Sequence, residues 1–161
     1  VITMIGEVVG EILEKGKSLS LFHKYARRLD IEQAKGNKIE DKIQFMGAIY
    51  DDEKLAELFL KSQVYVLAGM GGLSINEAMC YGLPIICSIC DGTEKHLVFE
   101  GENGRYFASD DVDSLTETLS KLLLDKENCD RMGKKSLHII QQNINENIVV
   151  AKYIECFSLL K

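Results

Sequence analysis

The chain has 161 residues, 46% of them hydrophobic, so it can bury one sizeable core; with 13 glycines, 1 proline and no proline- or serine-rich stretch it offers no linker. A single domain over residues 1–161 is expected. Lys plus Arg number 19 against 25 Asp plus Glu, a formal charge of −6 that repels a polyphosphate and argues against nucleic acid as a partner. A small phosphorylated ligand stays open, because a helix N-terminus holds a phosphate with backbone N–H groups whatever the net charge.

Five cysteines, Cys80, Cys87, Cys90, Cys129 and Cys156, are an odd number set mostly in apolar runs, which fits a reducing, cytoplasmic setting. No apolar run reaches the ~18 residues of a membrane span, and no basic segment leads into an apolar one as in a secretion signal. The first residue is Val1, so the chain reads as cut from something longer.

In chain order, residues 1–5 form an apolar run closed by Gly6, the pattern of a strand. From Glu11 a helix is expected, with Leu19, Phe22, Ala26 and Leu29 on one face and Gly16 interrupting its start. Residues 32–42 are polar and read as a loop, and residues 43–46 before Gly47 read as the next strand. Asp51 or Asp52 can cap a helix from Glu53 in which Leu55, Leu58 and Phe59 share a face. Val64-Tyr65-Val66-Leu67 is a strand apolar on both sides, which calls for helices on both faces of its sheet.

The glycine-rich turn of residues 69–72 opens a short helix through Glu77 and Met79 that ends at Gly82. Leu83-Pro84-Ile85-Ile86-Cys87 is the following strand, with Pro84 confined to its start or to an edge. Residues 90–105 read as a loop, after which Asp113 caps a helix carrying Leu115, Leu119, Leu122 and Leu123. Residues 130–140 make a further helix, and a last one displays Val149, Tyr153, Cys156, Phe157 and Leu160. Short buried strands alternating with helices predict an α/β fold, a Rossmann-like parallel sheet sandwiched by helices. Ligands then bind at the carboxyl ends of the strands, in the loops after Gly6, Gly47, Leu67 and Cys87.

One of those loops carries a chemical signature. Leu67-Ala68-Gly69-Met70-Gly71-Gly72-Leu73-Ser74-Ile75-Asn76-Glu77 runs from a strand through a glycine turn into a helix, the arrangement that aims several N–H groups and a positive helix end at an anion. Glu77, one turn into the helix, can accept two hydroxyl hydrogen bonds, and a ribose diol supplies such a pair. The alternative is local: Ser74-x-x-Glu77 is also a capping box, in which Glu77 does no more than reach back to the Ser74 N–H.

The stretch Gly71-Gly72-Leu73-Ser74-Ile75-Asn76-Glu77-Ala78-Met79-Cys80-Tyr81-Gly82-Leu83-Pro84-Ile85-Ile86 resembles the signature of group 1 glycosyltransferases of GT-B fold, Gly-Leu-x-x-x-Glu-Ala-Met-x-x-Gly-x-Pro-Val-Ile. Asp91-Gly92-Thr93-Glu94 and Glu100-Gly101-Glu102-Asn103-Gly104 are similar to two further elements of that family, and Ile43-Gln44-Phe45-Met46-Gly47 to the strand before its base pocket. The resemblance implies the C-terminal, donor-binding half of a two-domain enzyme, with the N-terminal acceptor domain absent and the first strand-helix unit missing too. Donor contacts then fall to Gly69, Met70, Gly71, Gly72, Leu73, Ser74 and Glu77.

The family pairs two glutamates separated by seven residues: Glu77 matches the one on the ribose, while Gly69 stands where the sugar-binding one belongs, leaving a backbone N–H to meet a phosphate or sugar oxygen. The resembling motif turns Glu94 toward the donor sugar, as the one catalytic candidate, with a loop-capping role as its alternative. The resemblance also implies retaining transfer to a saccharide or lipid in polysaccharide or glycoconjugate synthesis, no cofactor and no metal, and association of the full-length enzyme with the inner face of the membrane. An alignment making Lys15 the phosphate lysine leaves too few residues before Ile43 for another strand and helix. Cys87-x-x-Cys90 lacks the second cysteine pair or histidine that a zinc site needs, and His96 reads as a surface histidine. Two other functions stay open: a nucleotide-sugar epimerase of the same architecture, and a binding module without turnover.

Overall fold

The computed structural model describes residues 19–21, 43–46, 49–69, 72–90 and 92–159. All strand pairings among them are parallel. β1 (Leu19–Leu21) pairs with β2 (Ile43–Phe45), Leu19 opposite Ile43. β3 (Tyr65–Leu67), β4 (Ile85–Ser88) and β5 (Gly104–Phe107) form a sheet in that spatial order, with Tyr65 opposite Ile85 and Ile85 opposite Gly104. Helix α1 (Asp52–Lys61) leads into β3, α2 (Leu73–Cys80) joins β3 to β4, and α3 (Val112–Leu124), α4 (Lys126–Asn143) and α5 (Glu146–Ser158) follow β5. This is an α/β fold with a parallel sheet between helices.

The strand read as apolar on both sides, β3, is half-buried, with Val66 against one cluster and Tyr65 and Leu67 against the opposite one, and its neighbour β4 is buried at all four residues. Successive side chains on a strand point to opposite faces. Ile86 accordingly joins Phe107, Leu115, Leu119, Leu122 and Met132 under α3, while Ile85 and Cys87 join Phe59, Ile75, Ala78, Met79 and Ile139 under α1 and α2. Helix α4 serves both clusters, Cys129 and Met132 in the first and Ile139 in the second. Burying each such Leu, Ile or Met is worth about 1.5–3 kcal/mol, which is what holds the layers together.

Several expectations are corrected. Leu19–Leu21 is a strand, where the spacing to Phe22, Ala26 and Leu29 predicts a helix. Leu-Ser-Leu is itself an alternating triplet, and Gly16 just before it disfavours helix continuation, so the shorter period prevails. Lys15, like the strand expected at residues 1–5, lies outside the described residues.

Asp51 rather than Asp52 caps α1, accepting the Lys54 N–H at 3.0 Å. Asp111 rather than Asp113 caps α3, accepting the Ser114 N–H at 2.9 Å, because the helix begins at Val112 and a cap must reach the third residue beyond itself. The loop expected over residues 90–105 contains a 3₁₀ turn at Thr93–His96 and the start of β5. Of the last helix no residue is buried, with Tyr153 and Phe157 exposed; Leu160 lies outside the described residues.

Two glycines let the layers close. An added Cβ on Gly104 would run into the Ile85 carbonyl, and one on Gly133 of α4 into the carbonyl of Gly82. Gly133→Ala sets two effects against each other: alanine gains about 1 kcal/mol in helix propensity, and overpacking against backbone costs about 1–3 kcal/mol. The carbonyl cannot rotate away as a side chain can, so we expect a net loss of stability in urea denaturation; an unchanged or raised midpoint would show that α4 can shift off the Gly82 turn.

Candidate functional site

The carboxyl ends of β3 and β4 stand side by side, Leu67 opposite Cys87, and each gives rise to a loop. On the β3 side the chain turns at Gly69, whose φ of +120° is one that residues with a side chain rarely adopt. The Gly69 N–H donates to Ser88 Oγ at 3.0 Å, so it has a partner within the protein. Met70 and Gly71 lie outside the described residues.

Gly72 is the N-cap of α2 and supplies no side-chain cap. A Cβ there would lie 2.6 Å from Thr93 Cγ2, so a larger residue would require the Thr93 side chain or the β4 loop to shift. The Gly72 carbonyl accepts the N–H groups of Ile75 at 3.1 Å and Asn76 at 3.2 Å. Those of Leu73 and Ser74 precede the first intrahelical bonds and form the positive end of the helix. The Leu73 side chain is exposed.

Ser74 is therefore not the helix cap, and the capping box does not form: the helix starts one residue before it. Its side chain lies by the phenol of Tyr65 on β3 instead. Burial pushes the Tyr65 pKa up, the Glu77 charge adds to the rise, and the Ser74 side chain opposes it. Glu77 is exposed and has no hydrogen bond or ion pair among the described residues. Its carboxylate stands near Cys80 as well, whose pKa is raised first by desolvation and then by that charge.

Glu94 takes the loop-supporting role. It is only 3% exposed, and its carboxylate accepts the Cys90 N–H at 2.9 Å on Oε1 and the Gly92 N–H on both oxygens at 3.2 and 3.1 Å. Asn103 is fully buried, its Oδ1 accepting the Phe99 N–H at 2.7 Å and its Nδ2 donating to the Leu97 carbonyl at 2.9 Å. Tyr106 donates its hydroxyl proton toward the Val98 carbonyl at 2.7 Å, and burial, followed by nearby Cys87, Glu94 and Glu100, pushes its pKa up to about 12.

Sequence reasoning did not single out Ser88 or Tyr106; the only signal for Ser88 was a polar residue closing an apolar strand, which is too common to stand out. Cys87 is buried and also pushed up to about 12, by burial first and then by Glu94 and Glu100, while Cys90 and His96 are exposed. Among the described residues no three His, Cys, Asp or Glu side chains come together as a metal site, and no helix is long and apolar enough to cross a membrane. A recess of ≈ 370 Å³ lined by Phe59, Tyr81, Pro84, Lys126, Cys129 and Lys134 lies at the opposite, amino ends of β3 and β4, away from these loops.

The model of the family described as glycosyl transferases group 1 matches residues 11–138. No curated protein matches the sequence. Among solved structures, sucrose-phosphate synthase from Thermosynechococcus elongatus superposes with a TM-score of 0.77 at 20% identity, over 99% of this chain and 42% of that one. The C-terminal domain of a glycosyl transferase group 1 family protein (LpcC) from Francisella tularensis gives 0.77 at 16% identity, over 89% of this chain and 79% of that one. Anabaena Alr3699/HepE in complex with UDP gives 0.75 at 17% identity, over 94% and 44%. The chain thus spans less than half the length of the first and third of these proteins.

The Glu94 contacts predict that Glu94→Ala lowers unfolding stability by about 1.5–3 kcal/mol, the range for hydrogen bonds to a charged group. Urea denaturation measures it; stability equal to the parent would remove the structural role and return Glu94 to the list of ligand-facing residues.

Proposed function

Since the chain belongs to the group 1 glycosyl transferases, we propose that it is the donor half of a GT-B enzyme and seats the nucleoside diphosphate of an activated sugar at the loops after β3 and β4. The observation that carries this reading is the start of α2, where a glycine-capped helix end opens beside an exposed carboxylate, Glu77, that has no protein partner among the described residues. Helix-end N–H groups suit a diphosphate, and a carboxylate suits the vicinal hydroxyls of ribose. UDP in the Anabaena relative is consistent with a nucleotide of this class.

In the whole enzyme a second half brings a saccharide or lipid acceptor, in polysaccharide or glycoconjugate synthesis. The bond from the anomeric carbon to the diphosphate oxygen breaks, the diphosphate leaves with the electron pair, and the acceptor oxygen bonds to the same carbon with loss of its proton. By family likeness the configuration is retained. The chain's part is electrostatic: fixed N–H dipoles at the departing diphosphate stabilise the charge that develops there.

The conformation of Gly69 favours a second reading, a nucleotide-binding module without turnover, since a carboxylate cannot readily replace the glycine. Titration of the chain with UDP, GDP and ADP, and of the full-length protein with UDP-sugars for hydrolysis, distinguishes the two. Glu77→Ala is expected to weaken nucleotide binding by about 1–3 kcal/mol, read by calorimetry; unchanged affinity removes the ribose contact. Gly69→Glu is expected to gain no sugar affinity and to lose about 1–3 kcal/mol of stability to backbone strain. Tighter binding of a UDP-sugar by that variant would show that the turn readily accepts the side chain.

A further inference from the structure

Ser88 closes a strand whose other residues, Ile85, Ile86 and Cys87, are apolar, and it is 4% exposed. A hydroxyl buried to that degree needs a partner. Its partner is the Gly69 N–H, 19 residues earlier in the chain. The β3–β4 pairing runs as far as Leu67 opposite Cys87, and two residues later the chain turns at Gly69 with φ +120°. The Ser88 hydroxyl takes up the Gly69 N–H just beyond the end of that ladder.

At the far end of the same turn Gly72 meets the methyl of Thr93, which belongs to the loop that leaves β4. Gly69, where the chain leaves β3, is thus held by a hydroxyl at the end of β4, and Gly72, which caps α2, stands against the methyl of Thr93 in the loop that leaves β4. β4 is buried on both faces, so it is a rigid anchor for the Ser88 contact. A binding loop held before its ligand arrives does not have to be ordered by that ligand, and binding is tighter by the cost avoided.

We propose that Ser88 is a positioning residue for the diphosphate seat: its hydroxyl holds the Gly69 amide and thereby sets where the turn delivers the N-terminus of α2. This rests on the donor-site reading above. Ser88 makes no contact with the nucleotide in this account; it acts through Gly69.

The test uses the chain with Ser88→Ala, Ser88→Thr and Glu77→Ala, reading amide hydrogen exchange at Gly69 without ligand, affinity for UDP, GDP and ADP, and the melting temperature. Ser88→Ala should speed exchange at Gly69 and weaken the best-bound nucleotide about five- to tenfold, the equivalent of one hydrogen bond. Ser88→Thr, which keeps the hydroxyl, should restore both. Glu77→Ala should weaken the nucleotide while leaving Gly69 exchange as in the parent.

Ser88→Ala that speeds Gly69 exchange but leaves affinity intact, while Glu77→Ala lowers it, would overturn the positioning role and spare the donor site. Unchanged Gly69 exchange in Ser88→Ala would overturn it as well, and that measurement needs no ligand and stands even if the threonine variant does not fold. A parent chain that binds none of the three nucleotides would overturn the donor reading and this inference with it.

Discussion

The pairing of β4 with strands on both sides, under helices on both faces, is the constraint on which the rest of the structure depends. Its four residues are buried, so the strand can sit only where neighbours supply every backbone hydrogen bond and apolar cover above and below. Two backbone approaches make that possible: Gly104 of β5 against the Ile85 carbonyl, and Gly133 of α4 against the Gly82 carbonyl. A side chain on Gly104 would push apart paired strands, and one on Gly133 would push α4 off the Gly82 turn. The Ile85 N–H donates to the Asn103 carbonyl at 3.1 Å, and that same carbonyl accepts from Ser136 Oγ at 3.3 Å, so the start of the central strand, the β5 turn and α4 are joined at one point.

A strand so fixed turns its carboxyl end into a reference for two loops. On its own side the Glu94 carboxylate gathers the amides of Cys90 and Gly92; on the neighbouring side the Ser88 hydroxyl takes the Gly69 amide. Both loops use side-chain acceptors for amides that have left the ladder, which is how irregular backbone beside a sheet avoids unsatisfied donors. The difference between Glu94 and Glu77 then has a physical reading. One carboxylate is buried and saturated with amide donors, and the other is exposed and free of protein partners among the described residues, so only the second can exchange water for a ligand.

Much of the layered fold was legible because burial leaves a period in the sequence. Leu115, Leu119, Leu122 and Leu123 read as one helix face and are buried together, and the apolar run ending at Leu67 reads as a strand covered on both sides. The segments that were not legible are those where periodicity is too short to decide. Leu-Ser-Leu at β1 fits a strand over three residues and a helix over ten, and β5 opens with a glycine at a loop end. At the site, residue types were legible and directions were not. Ser74 and Glu77 have capping-box spacing, yet Gly72 starts the helix early enough to turn the Ser74 side chain to Tyr65; Glu94 fits a donor-facing motif, yet its carboxylate is enclosed by its own loop. Three-dimensional contact decides such cases, and no local pattern encodes it.

The net charge of −6 and the expectation of an anionic ligand are reconciled by where the positive potential comes from. Lysine and arginine would act over a distance of order 10 Å at moderate salt and would have to overcome the chain's own field. A helix end acts over its first turn only, so two or three aligned amides can hold a phosphate on a protein that repels polyphosphates as a whole. The amides of a helix end are fixed in direction, so the affinity of such a seat depends on their already pointing the right way. Backbone geometry is the constraint on this turn: Gly69 is in a conformation that favours glycine and Gly72 stands close to Thr93, so neither end of the turn carries a side chain. If the donor-site proposal holds, discrimination among sugars falls to residues other than these two glycines, since neither carries a side chain.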